Sequence, residues 1–224
     1  MQTMFEKTFS FLRQIKENNN REWYHANKST YQDAKQEFEH FIELLIHEST
    51  NFDASLKGLT PKDCIFRIFR DVRFSKDKSP YKTNFGAFLV PGGRKSMHAG
   101  YYLHLEPGSS FIASGIYMPP SNILRAIRND IFEHYEEYKS IINSSAIRST
   151  FQEMGGEKLK SAPRGFPKDF EGIEDLKYKS YGLMNNQTDA EIMAPDSLET
   201  ILNTFETAKP FVRFMNEAVE KAEK

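Results

Sequence analysis

Residues 100–118 read GYYLHLEPGSSFIASGIYM, and this stretch decides the fold. Tyr101, Leu103 and Leu105 alternate with Tyr102, His104 and Glu106, which puts the two sets on opposite faces of a strand. Pro107-Gly108 reverses the chain, and residues 110–118 return as the second arm of a hairpin. An apolar set facing a polar set is the pattern of an antiparallel sheet covered on one side.

Working outward, residues 84–90 read as a further strand closed by Pro91-Gly92-Gly93. Residues 65–74, rich in β-branched and aromatic side chains, read as another. Such strands joined by short connections make a meander-like antiparallel sheet. Before them, Phe5, Thr8, Phe9, Leu12 and Ile15 recur at helical spacing and stop at Asn18-Asn19-Asn20. Asn19 and Glu22 fit a capping box for a next helix, whose one face carries Tyr31, Ala34, Phe38, Phe41, Ile42 and Leu45. Residues 21–28 are less regular and read as a separate helical turn.

After Pro119-Pro120, Ser121 caps a helix with Leu124, Ile127, Ile131 and Tyr138 on one face. A short helical piece over 146–154 ends at Gly155-Gly156, residues 158–180 are loop, and 181–193 hold a short strand pair. Asp196 and Glu199 open a C-terminal helix, which Pro210 is expected to kink or split at Lys209. The expectation is a single α+β domain over residues 1–224, a central antiparallel sheet flanked by N-terminal and C-terminal helices. Gly155-Gly156 is the only reasonable alternative boundary.

A net charge of −1 over 224 residues argues against a general nucleic-acid coat protein, which needs many excess cations. The single cysteine, Cys64, excludes an internal disulfide framework and a Cys-rich zinc site, and its apolar setting reads as an inert buried thiol. No apolar run reaches the ~20 residues of a membrane helix, and the amphipathic, acid-bearing N-terminus is unlike a secretory signal. A cytoplasmic protein is the default. G-x-S-x-G, P-loop and G-x-G-x-x-G patterns are all absent, and nothing calls for a cofactor.

One stretch stands apart from this ordinary composition. Over residues 64–82 the chain places Arg67, Arg70, Arg73, Lys76, Lys78 and Lys82 against Asp71 and Asp77, a local charge of +4. Strict alternation sets Arg67, Asp71 and Arg73 on one strand face and Arg70 on the other, so convergence of the three Arg needs a bulge near Asp71. Arg forks hold phosphate or carboxylate bidentately, with Asp71 orienting one fork and Lys78 and Lys82 adding point charge. Tyr81 offers a hydroxyl. Arg164, between Pro163 and Gly165 in a second basic loop, is expected to close the charge cage. The bland reading is that Asp71 and Asp77 pair with neighbouring cations on an exposed charged edge. A metal site would draw on His104 and Glu106 with His98 nearby, but no H-E-x-x-H spacing supports one, and an exposed sheet face explains them equally well.

The pattern Arg67-x-x-Arg70-Asp71-x-Arg73-Phe74-x-x-Asp77-Lys78-x-x-Tyr81 resembles the signature of a bacterial and fungal family catalogued as domain of unknown function 2461. Asn19-Asn20-Arg21-Glu22-Trp23, Asn27-Lys28, Phe85-Gly86-Ala87 and Ala162-Pro163-Arg164-Gly165-Phe166 extend the likeness over nearly the whole chain. The resemblance implies a single domain whose signature positions belong together, and it supplies no catalytic residue. The leading functional expectation is therefore a basic cleft for a small anionic ligand. If chemistry occurs there, Asp71, Lys78 or Tyr81 is the proton-transfer candidate. The alternatives are a nucleic-acid module, or a protein-interaction domain in which the charged signature is an internal lattice of ion pairs.

Overall fold

The computed structural model describes residues 3–222. Helix α1 (Glu6–Glu17) buries Thr8, Phe9, Phe11, Leu12 and Ile15, the stripe that its spacing dictates. Next come α2 (Arg21–Ala26), the long α3 (Lys28–Ser49), a 3-10 turn (Ala54–Leu56) and α4 (Pro61–Cys64). Asn20, rather than Asn19, caps α2, its side chain accepting from the Trp23 N–H. Asn19 instead bonds the backbone of Tyr81.

The sheet contains β1 (Phe85–Leu89), β2 (Gly100–Leu105) and β3 (Ser110–Ile116), then α5 (Ser121–Glu133), α6 (Tyr135–Ile142) and α7 (Ser145–Thr150). The chain returns through β4 (Glu153–Gly155), α8 (Ile173–Leu176), β5 (Tyr181–Gln187) and α9 (Asp189–Ile192), and ends in α10 (Ser197–Ala222). All pairings are antiparallel, in the order β1-β2-β3-β5-β4. The fold is α+β, and its first three strands form the expected meander. The last two depart from it: β5 inserts beside β3, and β4 becomes the edge.

Tyr101, Leu103 and Leu105 of β2 are fully buried, while Tyr102, His104 and Glu106 on the other face are part-exposed. The hairpin thus keeps the register its alternation demands. Helix α10 packs its buried stripe of Ile201, Phe205, Ala208, Val212 and Met215 on the sheet, with the Phe205 ring 5.1 Å from that of Tyr101. At the other end, Phe85 of β1 sits among Phe11, Tyr31 and Phe38, ring centroids 5.5 to 6.3 Å away. One hydrophobic core joins these layers. No helix of the described residues is long and apolar enough to cross a membrane.

Several local expectations are corrected. Residues 65–74 form no strand; only the bridges Ile65–Ala87 and Phe69–Tyr81 survive. Pro80 has no N–H to return to the ladder, and Asp71 and Asp77 draw the Arg73 and Ser79 N–H groups into local turns. Pro120, not Ser121, holds the N-cap position of α5, and His134, off helical backbone at φ −121° and ψ 41°, divides that helix from α6. The piece over 146–154 is helix only to Thr150, and Glu153–Gly155 pairs instead with β5, which is why 181–193 contains one strand and a helical turn. Helix α10 runs through Pro210 unsplit, because Ala208, Phe211 and Val212 on either side are buried and hold it in place.

Candidate functional site

Residues 65–66 pair with β1 and residues 68–70 with residues 80–82, and two clefts lie along this segment. Arg67 and Arg70 part company across them, as alternation requires. Arg67 lines a cleft of 380 Å³ with Lys35, Lys62 and Arg94, against α3. There Lys35 pairs with Glu39 at 2.8 Å and Arg94 donates to the Lys62 carbonyl. Arg70 lines the second cleft, of 350 Å³, together with Lys16, Asn19, Lys82, Thr83 and Asn84. Among the described residues lining this second cleft, Asp77 is the sole carboxylate.

The floor of the second cleft is held from α1 and α2. Asn19 Nδ2 donates to the Tyr81 carbonyl at 3.0 Å, and the Tyr81 N–H donates to Asn19 Oδ1 at 3.1 Å. This two-bond clamp fixes the backbone entering Lys82-Thr83-Asn84. The Tyr81 ring stacks on Tyr24 at 4.2 Å and 20°, and the residue is only 3% exposed. Burial raises the Tyr81 phenol above its ordinary pKa. Tyr81 is thus an anchor in an aromatic cluster.

The tip of the loop uses its own charges. Arg73 Nε and Nη2 donate to the two oxygens of Asp71 at 2.9 and 2.7 Å, and this bond holds Asp71 below the usual carboxylate range. Lys78 Nζ donates to the Val72 carbonyl at 3.0 Å. Asp77 accepts from the Ser79 hydroxyl and N–H and from Arg70, and these bonds hold its carboxyl well below the ordinary value. Asp71, Arg73 and Lys78 therefore brace the loop; none lines either cleft. Phe74, at the tip, is 95% exposed, with the Arg73 guanidinium 5.8 Å from its ring centroid.

Arg164 is not brought to this cluster. It is exposed in the segment between β4 and α8, which bridges back through Lys158 to Tyr178 beside β5. That is the opposite edge of the sheet from β1. Phe166, two residues on, packs against Phe132 of α5. His98 is bonded to Ser96 at 3.0 Å and is not a partner of His104, so the three-ligand grouping weighed from the sequence is not assembled. Asp130, Glu133 and His134 gather at the end of α5, but the Lys221 ammonium donates to Asp130 there.

The sequence does not single out the groups that complete the second cleft: Lys16, Thr83 and Asn84. The one signal for Thr83 and Asn84 is the polar run Lys82-Thr83-Asn84 immediately before an apolar strand. Thr83 Oγ1 donates to Glu106 Oε1 at 2.6 Å, a charge-assisted distance. The other Glu106 oxygen lies 3.3 Å from His104 Nε2, and His104 Nδ1 lies 3.0 Å from the Tyr102 hydroxyl. The His104 ring stacks on Phe111 at 4.4 Å and 13°. Burial pushes the His104 pKa down, Glu106 works against that shift, and Lys82 adds to it. Burial, helped by Arg67, likewise pushes the Lys82 ammonium down, and its Nζ lies 5.3 Å from the Phe66 ring centroid.

The His104 shift has a consequence for stability. Its folded pKa lies below the ordinary value of about 6.5, so between the two the unfolded chain binds the extra proton. The stabilisation from a neutral His104 is present above pH ~6.5 and is lost as the pH falls from there through the folded value. Denaturant unfolding between pH 7.5 and 5 should show this loss in the wild type, and His104→Gln should flatten that portion. Equal pH dependence in the two proteins would remove His104 as its source.

Fold and site together define a helix-backed antiparallel α+β protein with two clefts along its β1 edge. A family model described as "Conserved hypothetical protein (DUF2461)" matches residues 7–214, and the chain belongs to that family. Comparison with curated proteins and with solved structures returned no match.

Proposed function

We propose that this protein binds a small phosphate- or carboxylate-bearing ligand in the cleft lined by Lys16, Arg70 and Lys82. The observation that carries the reading is the imbalance of charge there: three cations face one carboxylate, and the Arg70–Asp77 pair leaves the charges of Lys16 and Lys82 in excess. The Lys82 ammonium is half-buried and partly desolvated, so an arriving anion recovers Coulomb energy that water does not supply. Asn84 lines the same space and adds a neutral amide suited to hydrogen bonding with the rest of a small polar ligand. Thermal-shift screening against inorganic phosphate, nucleotides, sugar phosphates and di- and tricarboxylates tests the reading. A ligand at 100 times its dissociation constant adds about 2.7 kcal/mol of stability. Silence across the panel would contradict it.

A second reading rests on Phe74. A fully exposed ring beside Arg73, at the tip of a loop that also carries Lys76 and Lys78, has the make-up of a stacking platform for a single-stranded nucleic acid. It predicts oligonucleotide affinity that falls steeply with salt and drops on Phe74→Ala. Salt-insensitive or absent binding removes it.

A further inference from the structure

The cation-lined cleft also holds a hydroxyl with a base behind it. Thr83 lines the cleft, and its Oγ1 donates to Glu106 Oε1 at 2.6 Å. Glu106 is fixed in turn: its second oxygen lies 3.3 Å from His104 Nε2, and His104 Nδ1 faces the Tyr102 hydroxyl at 3.0 Å and Asn84 Nδ2 at 3.4 Å. The side chains of His104 and Glu106 are only 14% and 24% exposed, so the base is held in one geometry and little screened. Phe111 stacks against the imidazole and closes its far side. A hydroxyl within hydrogen-bond reach of a base, and that base held by a third group, is the general arrangement of an activated nucleophile.

We propose that Thr83 is a nucleophile for phosphoryl transfer, with Glu106 as its general base and Lys82 beside the leaving oxygen. The inference rests on the reading of this cleft as an anion site. In the first step Thr83 Oγ1 attacks the phosphorus of a phosphomonoester as its proton passes to Glu106. The Thr83 O–P bond forms, the ester P–O bond breaks, and the leaving oxygen takes a proton from the Lys82 ammonium. Glu106 then returns its proton through solvent to Lys82, restoring the carboxylate and the ammonium. In the second step water attacks phosphorus, its proton passes through Glu106 to the departing Thr83 oxygen, and hydrogen phosphate leaves. The free hydroxyl is regenerated. Arg70 and Lys16 face the phosphoryl oxygens throughout, where preorganised positive charge lowers the barrier.

An alkyl fluorophosphonate tests the nucleophile without any need for the natural ester. Its phosphorus bonds to Thr83 Oγ1, fluoride leaves, and the proton goes to Glu106. Peptide mapping of the full-length protein should find one adduct, on Thr83, forming roughly 100-fold faster than any adduct on the 83% exposed Tyr117. Thr83→Ser should keep the adduct at residue 83, and Thr83→Val and Glu106→Gln should lose it while retaining the wild-type far-ultraviolet dichroism. Adducts confined to exposed residues, or a Thr83 adduct undiminished in Glu106→Gln, would overturn the assignment. Phosphate binding by the same variants, followed by calorimetry, reads the anion site separately: binding without labelling removes the nucleophile alone, and loss of both in the wild type removes the site.

Discussion

Gly115→Ala is expected to abolish stable folding, or to lower the melting temperature by more than about 8 °C, the shift that ~4 kcal/mol produces in a chain of this size. Gly115 stands in mid-sheet, opposite Gly100 on one side and Gly182 on the other. Its φ of +140° is open to glycine and costly for an L-residue, and an added Cβ would lie 2.0 Å from the Tyr181 carbonyl oxygen. That oxygen is backbone of β5, so it cannot rotate aside as a side chain would. Relief requires β3 and β5 to separate, and their contact seats Tyr181, which is fully buried. A total stability of 5–15 kcal/mol leaves little margin for such a loss. Urea denaturation of the two proteins checks this; a midpoint unchanged in Gly115→Ala would mean that the β3–β5 pairing is misdescribed.

Lys82→Met is expected to weaken binding of any phosphate ligand found by screening 10- to 100-fold, with little loss of stability. A hydrogen bond to a charged group contributes about 1.5–3 kcal/mol, and each 1.4 kcal/mol is tenfold in affinity. Methionine keeps an unbranched side chain of similar length and removes the ammonium, whose Nζ lies 5.3 Å from the Phe66 ring centroid. Lys78→Met is the matched control, because Lys78 braces the Val72 carbonyl and lines neither cleft. Calorimetric titration should give a change below twofold for Lys78→Met. Equal losses for the two variants would mean that the ligand responds only to the overall charge of the stretch.

The parts of the fold governed by short-range periodicity were legible in the sequence. The first arm of the hairpin, residues 101–106, alternates without exception, and α1 and α3 carry their stripes at helical spacing. What the sequence hid was set by partners far along the chain. Nothing local says that Glu153–Gly155 will pair with β5, or that Asn19 will clamp the backbone of Tyr81 instead of capping a helix. The charged stretch misled in a specific way. β-Branched and aromatic residues favour a strand there, but Asp71 and Asp77 take N–H groups that a ladder would use, and Pro80 has none to give.

The candidate site was legible as a place more than as a list of groups. Residues 65–68 line one cleft and Arg70 and Lys82 the other, so Arg67, Arg70 and Lys82 each border open space. Asp71, Arg73 and Lys78 face one another or the loop backbone, which is what the bland reading of an ion-paired edge anticipates. Arg164 belongs to the far edge of the sheet, a fact that only topology supplies. The chain His104–Glu106–Thr83 joins two segments through side chains and so has no spacing of its own to read.

The most direct test of the anion site is a crystal of this protein soaked with tungstate, a phosphate mimic whose anomalous scattering locates it without bias. A peak is expected within hydrogen-bonding distance of Lys82 and Arg70, displaced by excess phosphate and absent from Lys82→Met crystals. A peak only in the neighbouring Arg67–Arg94 cleft, or none in either, would contradict that expectation.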